Sequence, residues 1–436
     1  MTRFYQEKAR EIPVIAETEV LVLGGGPAGI GAALGAARAG AKVMIVEKAN
    51  CLGGMATAGM MSDWSYGTDS PLVKEIMNRV INSPSMPPAP NPVALYCIHH
   101  ECLNNTLFAM AEENGIDLLL HTHIVDVIME NENKICGVIV ENKSGRSAIM
   151  GKVLIDATGD GDVAAKAGAE YILGREEDHL CQPVTLMFRI GGVDYEKAIF
   201  PPGFESYVQV PDGEIQALGK EHLPHPAGHV LLYRTRIPGE VCVNMTNVIR
   251  IDGTDAKQLT EAEKICRKQI DQIIVFLRRY APGYQNCYLV AAAQNVGVRE
   301  TRHFKGLYTI TADDIVHATV FPDWIATKNH FNFDIHNIDG AGLDKNGAQK
   351  HFRSQGAYTI PYRSCVPEKL DGLLLAGRNI SGTHKAHSNY RVMPICMNMG
   401  HGVGTAAAWA VAHQVAPRDV DVQEIQKILQ TQGVYV

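Results

Sequence analysis

Two runs of the sequence carry side chains that can move a proton or hold an anion: Arg299 to His303, and Gly382 to Arg391. An imidazole titrates near neutrality, so His384 and His387 are candidates for a general acid or base. The guanidinium groups of Arg391 and Arg302 can hold a carboxylate or polarise a carbonyl. The competing reading is that these side chains only hydrogen-bond a cofactor or pair with acids, the more so for Arg302. A third run binds rather than reacts. Gly24-Gly25-Gly26-Pro27-Ala28-Gly29 fits the pattern G-x-G-x-x-G, and Glu47 stands eighteen positions beyond Gly29. The first glycine permits a tight turn, the second lets backbone approach a pyrophosphate, and the third lets helix pack on strand. The helix start adds free N–H groups and the positive end of a dipole, and Glu47 is placed to accept from ribose hydroxyls.

Such residues need elements to hold them, and the apolar spacing predicts these. Residues 19–23 read as a strand, 24–29 as a glycine turn, 30–39 as a helix and 41–46 as a second strand, which together make a βαβ unit. A helix is predicted over 101–114, short strands over 116–121, 124–130 and 135–141, and a buried strand from Lys152 that runs into Ala157, Thr158 and Gly159. Residues 60–92 lack a clear period and gather Pro and Ser towards Pro92, which predicts a long surface excursion. From about 170 to 356 the style changes to strand-like runs over 184–190 and 229–236 and a long helix over 260–280. Buried-strand style returns at Leu373, and Gly400 to Val415 reads as a glycine-started helix. The expected fold class is therefore α/β: a Rossmann-like domain of parallel sheet, helices and an antiparallel β-meander, built from 1–170 and 357–436. An α+β substrate domain is inserted over 171–356.

Composition sets the limits. The 436 residues are 46% hydrophobic and 20% charged, enough for a globular enzyme with a large ligand buried inside. A net charge of -7 without any Lys/Arg run argues against nucleic acid. The most apolar early stretch, 20–40, is broken by glycines and Pro27, so neither a membrane span nor a secretory leader is expected. Ten cysteines, with no C-x-x-C pair, predict reduced thiols in the cytoplasm. Cys97 to Cys102, with His99 and His100 between, superficially resembles a metal cluster but lacks a second ligand pair at finger spacing, and no metal is expected.

Turn and acid alone suit NAD as well as FAD, and the other glycine segments decide. Gly53-Gly54-Met55-Ala56-Thr57 directly follows the acidic strand, Asp156 to Asp162 ends a later one, Gly297 to Arg302 carries a G-x-R-E-x-R pattern, and Ala376-Gly377-Arg378 ends the last. In this combination and order the sequence resembles the FAD-dependent oxidoreductase family of the glutathione-reductase-like flavoproteins, from about 17 to 412. The resemblance implies an extended, noncovalent FAD with Gly24, Gly26, Pro27, Ala28 and Gly29 at the pyrophosphate, and Glu47, with Lys48 beside it, at the adenosine ribose. Gly53, Gly54, Met55, Ala56 and Thr57 would line the pyrophosphate and flavin edge, and the backbone at Ile124 would face the adenine. Ala157, Thr158 and Gly159 would flank the adenosine half. Gly377, Arg378 and a turn of Gly402, Val403, Gly404 and Thr405 would hold ribityl and flavin, a helix start at Gly404 offsetting negative charge on the reduced ring.

Disulfide-reducing relatives carry Cys-x-x-x-x-Cys after the glycine pair; here Met55 to Ala58 follow and Cys51 stands alone, which argues against that chemistry. No second glycine fingerprint offers a site for NAD(P)H, so electrons come from the substrate itself or from a separate donor or acceptor. The expected function is hydride transfer between FAD and a small polar organic substrate, anionic by the local excess of Arg, Lys and His, with a histidine of the 384–387 pair managing the proton. The alternatives are an oxygen-using oxidase or hydroxylase, a protein that keeps FAD as a structural ligand, and a plain NAD-dependent dehydrogenase.

Overall fold

The computed structural model describes residues 3–64, 67–87, 98–201, 203, 206–344 and 356–436. From the amino end come β1 (Val14–Leu23), α1 (Pro27–Arg38), β2 (Val43–Val46), α2 (Pro71–Ile81) and α3 (His100–Glu113). The strands β3 (Asp117–Leu119), β4 (His123–Asn131), β5 (Lys134–Asn142) and β6 (Gly145–Asp156) follow, then α4 (Asp162–Lys166) and β7 (Tyr171–Leu173). Val20 to Leu23 of β1 are wholly buried, as a parallel strand covered on both faces must be. Parallel pairing gives the order β3-β2-β1-β6, and β4, β5 and β6 form an antiparallel meander off the same sheet. Residues 60–92 contain α2, so only part of the expected excursion is irregular; residues 88–92 and Cys97 lie outside the described residues.

A second core gathers Met60 with residues between Val184 and Ala293. Its elements are β8 (Phe188–Gly191), the short pair β9 (Gln209–Val210) and β10 (Gly213–Glu214), α5 (Ile215–His222), β11 (Leu232–Arg234), β12 (Val241–Val243), α6 (Ala256–Tyr280) and β13 (Tyr288–Ala292). The order β11-β12-β8-β13 is antiparallel. Asp255 caps α6 by accepting from Lys257 N and Gln258 N, so the helix starts ahead of the predicted Thr260. Ala262, Cys266, Ile270, Ile273 and Leu277 put one apolar face of it into this core.

The chain rejoins the first core at Phe304, well ahead of position 357. β14 (Arg302–Phe304) pairs with β7; α7 (Ala312–Val316), β15 (Trp324–Asn329) and β16 (Tyr358–Pro361) lead to β17 (Leu373–Leu375). β17 adds parallel to the carboxyl end of β6, with Leu375 opposite Asp156, and α8 (His384–Tyr390), α9 (Met393–His413) and α10 (Val422–Thr431) close the fold.

One expectation is corrected. Gly402, Val403, Gly404 and Thr405 do not form a turn before a helix; they lie buried in the middle of α9, which begins at Met393 with Pro394 in its first turn. The glycines are there because α9 crosses α1 backbone to backbone. A Cβ on Gly400 would stand 2.1 Å from Ala28 O, and one on Gly404 1.9 Å from Ala32 O. Gly31 and Gly35 of α1 answer with clashes of 2.2 and 2.3 Å against Met397 O and His401 O. Gly402 faces Ile325 O at 2.2 Å, and Thr405 Oγ1 donates to His401 O. These residues set helix packing, and the start of the helix belongs to Val392 and Met393.

Buried histidines make stability depend on acid. Burial pushes His229 down to about 3 and His336 and His401 down to about 4, from an ordinary 6.5. The unfolded chain takes up these protons first. The stability they support is complete above about pH 6.5 and falls as pH drops towards 4, each group adding about 1.4 kcal/mol per pH unit to the loss. The urea midpoint should therefore fall steeply between about pH 6.5 and 4.5; a flat midpoint would show that these imidazoles are not held neutral.

Candidate active site

The glycine turn is built as its spacing requires. Gly24 takes φ +105°, and a Cβ there would meet Ala157 O at 2.5 Å; a Cβ on Gly29 would meet Gly24 O at 1.9 Å. Gly26 differs, since a Cβ there would meet nothing within 4 Å, so the turn opens onto space at that residue. Pro27 starts α1 without needing an N–H partner. Glu47 lies at the end of β2, where its carboxylate accepts from Gly25 N at 2.6 Å and Ala49 N at 2.7 Å, each oxygen keeping lone-pair capacity for a ribose hydroxyl. Lys48 beside it is exposed.

Gly53 and Gly54 take φ +98° and +51°, and Gly53 N donates to Gly25 O at 2.7 Å, which sets the second glycine turn against the first. Thr57 is buried and donates to Leu52 O at 2.6 Å, bracing that turn from within. The Met55 side chain reaches Gly59 and Gly297, between the two cores, while Ala56 is buried. Ile124 sits half-buried at the start of β4. At the end of β6, buried Asp156 accepts from Thr158, Val163 N and Ala164 N and so fixes Ala157 to Gly159 against α4.

After β17, Gly377 turns with φ +111° beside Ala28 of α1. Arg378 Nη2 donates to Asp160 Oδ1 at 2.8 Å, leaving Nη1 buried with no hydrogen-bond partner; Asn379 Nδ2 donates to Asp156 O, leaving Oδ1 likewise. An orphan cationic donor, an orphan acceptor and the open face of Gly26 suit a ligand with phosphates and hydroxyls.

The two polar runs meet. Glu300 is fully buried, and its Oε1 accepts from His303 Nε2 at 2.9 Å and His384 Nδ1 at 2.6 Å, while Oε2 accepts from Gln182 N at 3.0 Å. Burial pushes its carboxyl up, but the hydrogen bonds and charges of the two imidazoles outweigh this and hold it well below the usual range. His384 is pulled down by burial and raised more strongly by Glu300. His387, one turn along α8, is driven well below its ordinary value by burial and by His303, whose ring lies 4.6 Å away edge-on. The chain of contacts back to the turn is short: Thr301 Oγ1 donates to Asp160 Oδ1, the atom that also holds Arg378.

Arg391 and Arg302 part company. Arg302 donates to Asp160 O and Asp162 Oδ1, both at 2.9 Å, outside the histidine group. Arg391 Nη2 donates to Asp334 O and Oδ2, both at 2.8 Å, and its Nε is buried without a partner. Asp334 was not singled out from sequence; burial raises it, yet His336, Arg391 and Arg299 hold it well below the usual range. Arg299, pushed down to about 10 by burial, donates to Pro183 O and Thr185 Oγ1. Asp334-Ile335-His336 could have been noticed as an acid and an imidazole two apart; Glu300, inside a run already marked, had no signal beyond its neighbours. His99 and His100 lie by the buried Arg189–Glu240 pair, and burial takes His100 down to about 3.

A family model described as FAD dependent oxidoreductase matches residues 19–429, and the chain belongs to that family. It is thus an FAD-dependent oxidoreductase. Over 164 residues it is 30% identical to thiamine thiazole synthase of Aeropyrum pernix, spanning 35% of this chain and 58% of that protein. Over 197 residues it is 26% identical to digeranylgeranylglycerophospholipid reductase 1 of Methanopyrus kandleri, spanning 43% and 51%. The chain therefore spans little more than half the length of these curated relatives. A solved structure of a geranylgeranyl bacteriochlorophyll reductase-like protein from Thermoplasma acidophilum compares with a TM-score of 0.49 at 17% identity, over 96% of this chain and 84% of that one. Among the described residues no helix is long and apolar enough to cross a membrane, and every cysteine is a free thiol.

The residues present fit FAD: Gly24 to Gly29 would take its pyrophosphate, Glu47 its ribose, and Arg378 and Asn379 its remaining polar groups. Glu47→Ala removes the acceptor of Gly25 N and Ala49 N, together with the ribose partner, and should weaken FAD binding by about tenfold, about 1.4 kcal/mol, the scale of one charge-assisted hydrogen bond. Flavin fluorescence during titration of apoprotein measures it, and an unchanged Kd would show that Glu47 does not support the cofactor.

Proposed function

We propose that the protein transfers a hydride between FAD and a small polar organic substrate that carries an anionic group. The observation that carries this reading is the pairing of buried Glu300 with partly exposed His384, joined through Thr301 and Asp160 to Arg378 at the cofactor cradle. Bound FAD supplies reversible two-electron chemistry. The chain's own part is to manage the proton and hold the substrate. Glu300 fixes the His384 ring through Nδ1, which leaves Nε2 to exchange a proton with a substrate hydroxyl or amine. Arg299 and Arg391 share one carboxylate, that of Asp334, so the site carries a surplus buried cation that a substrate carboxylate would balance. A separate electron donor or acceptor would complete the cycle, and the free thiols suit a reducing cytoplasm.

Anaerobic titration of FAD-loaded protein with small hydroxy acids and amino acids, each paired with its methyl ester, tests the reading. One acid should bleach the visible flavin bands and its ester should not. Bleaching by neutral compounds alone would remove the anionic substrate. Oxygen uptake stoichiometric with turnover would favour an oxidase instead.

A further inference from the structure

Glu300 and His303 stand three positions apart, as do His384 and His387, and the two pairs converge in the core. We propose that Glu300, His303 and His387 form a binding site for a first-row divalent cation of the Zn2+ or Fe2+ type. This site shares Glu300 with the pair that positions His384, but metal binding itself does not depend on the hydride reading.

The three donors are gathered closely enough for one ion to draw them together by small side-chain rotations. Glu300, His303 and His387 are 0%, 5% and 1% exposed, and one ligand atom from each lies within 4.8 Å of the other two. Glu300 Oε1 stands 2.9 Å from His303 Nε2 and 4.0 Å from His387 Nδ1. Two ligands each about 2.1 Å from a metal are about 3.0 to 3.4 Å apart at octahedral or tetrahedral angles, and the two distances bracket that span. A second observation points the same way. His387 Nδ1 is buried with no hydrogen-bond partner, and 4.0 Å is too long for a bond to Glu300. A buried imidazole nitrogen left unsatisfied against a carboxylate is unfavourable, and a shared cation would satisfy it.

The carboxylate is braced as a ligand would be, while His303 Nδ1 keeps no hydrogen-bond partner. Glu300 Oε2 takes Gln182 N and its Oε1 takes His384 Nδ1, so the carboxylate is held by outer hydrogen bonds, as ligating carboxylates usually are. Two imidazoles and one carboxylate favour zinc or ferrous iron over Mg2+ or Ca2+, which prefer oxygen alone. Three protein ligands leave coordination positions open.

The test dialyses FAD-loaded protein against micromolar Zn2+ and counts metal per chain by plasma mass spectrometry, with flavin content and circular dichroism as fold controls. The expected result is one zinc per chain, removed by a strong chelator and restored on readdition, with affinity at least tenfold weaker in His387→Gln and Glu300→Gln. His317→Ala, at an exposed histidine, should bind as the parent does. Should the two buried variants fail to fold, X-ray absorption at the zinc edge of the parent protein decides, and it should show nitrogen and oxygen ligands with two imidazoles. No stoichiometric binding of Zn2+ or Fe2+, equal binding by folded His387→Gln, or sulfur ligation would each overturn the proposal.

Discussion

His384→Ala slows flavin reduction by substrate by about 10²- to 10⁴-fold, the range of a lost general acid or base, and leaves FAD bound. The Nδ1 side of His384 is committed to Glu300, and the cradle of Gly24 to Gly29 lies on other elements, so catalysis and cofactor binding should separate. Stopped-flow absorbance with the acid found by titration measures the rate, and added imidazole should restore part of it. An unchanged rate would leave His384 as a structural partner of Glu300 and end its role as proton carrier.

Gly404→Val should cost about 3 kcal/mol, the upper end of what overpacking costs, and release much of the FAD. The added carbon would start 1.9 Å from Ala32 O, a backbone atom with no rotamer to retreat into. α1 must then move away from α9, and the start of α1 is the phosphate turn itself. A lower urea midpoint together with a lower flavin-to-protein ratio is expected. Full flavin content in a destabilised protein would show that the helix crossing and the cradle are independent.

The βαβ unit was legible because each part has a local cause: β1 ends in the apolar run Val20 to Leu23, Gly24 needs a positive φ, and Pro27 suits a first helical turn. The α6 and α3 patterns were legible for the same reason; α3 shifted by one residue at each end, and the start of α6 moved further because its cap, Asp255, lay outside the apolar repeat. Gly400 to Thr405 misled because a missing Cβ serves a turn and a close helix crossing equally well. Only the matched four-residue spacing of Gly31 with Gly35 and Gly400 with Gly404 separates the two, and it has meaning only once the helices are known to cross. Arg302 and Arg391 were equal candidates in one dimension; the neighbours that divide them, Asp162 and Asp334, are far away in sequence. Asp334 and Glu300 stayed hidden because a buried acid is recognised by its partners, and those come from other elements.

The joining of β17 to β6, and of α9 to α1, has a consequence for how the protein is made. On the ribosome, the phosphate turn emerges early, yet β6 waits with one edge partly unpaired and α1 with a bare glycine face until residues 373–413 have left the exit tunnel. Pairings between segments so distant in the chain form late and slowly. Nascent chains halted before Leu373 should therefore be digested readily by protease and should capture no flavin, and loading should begin only once residues 373–413 have emerged.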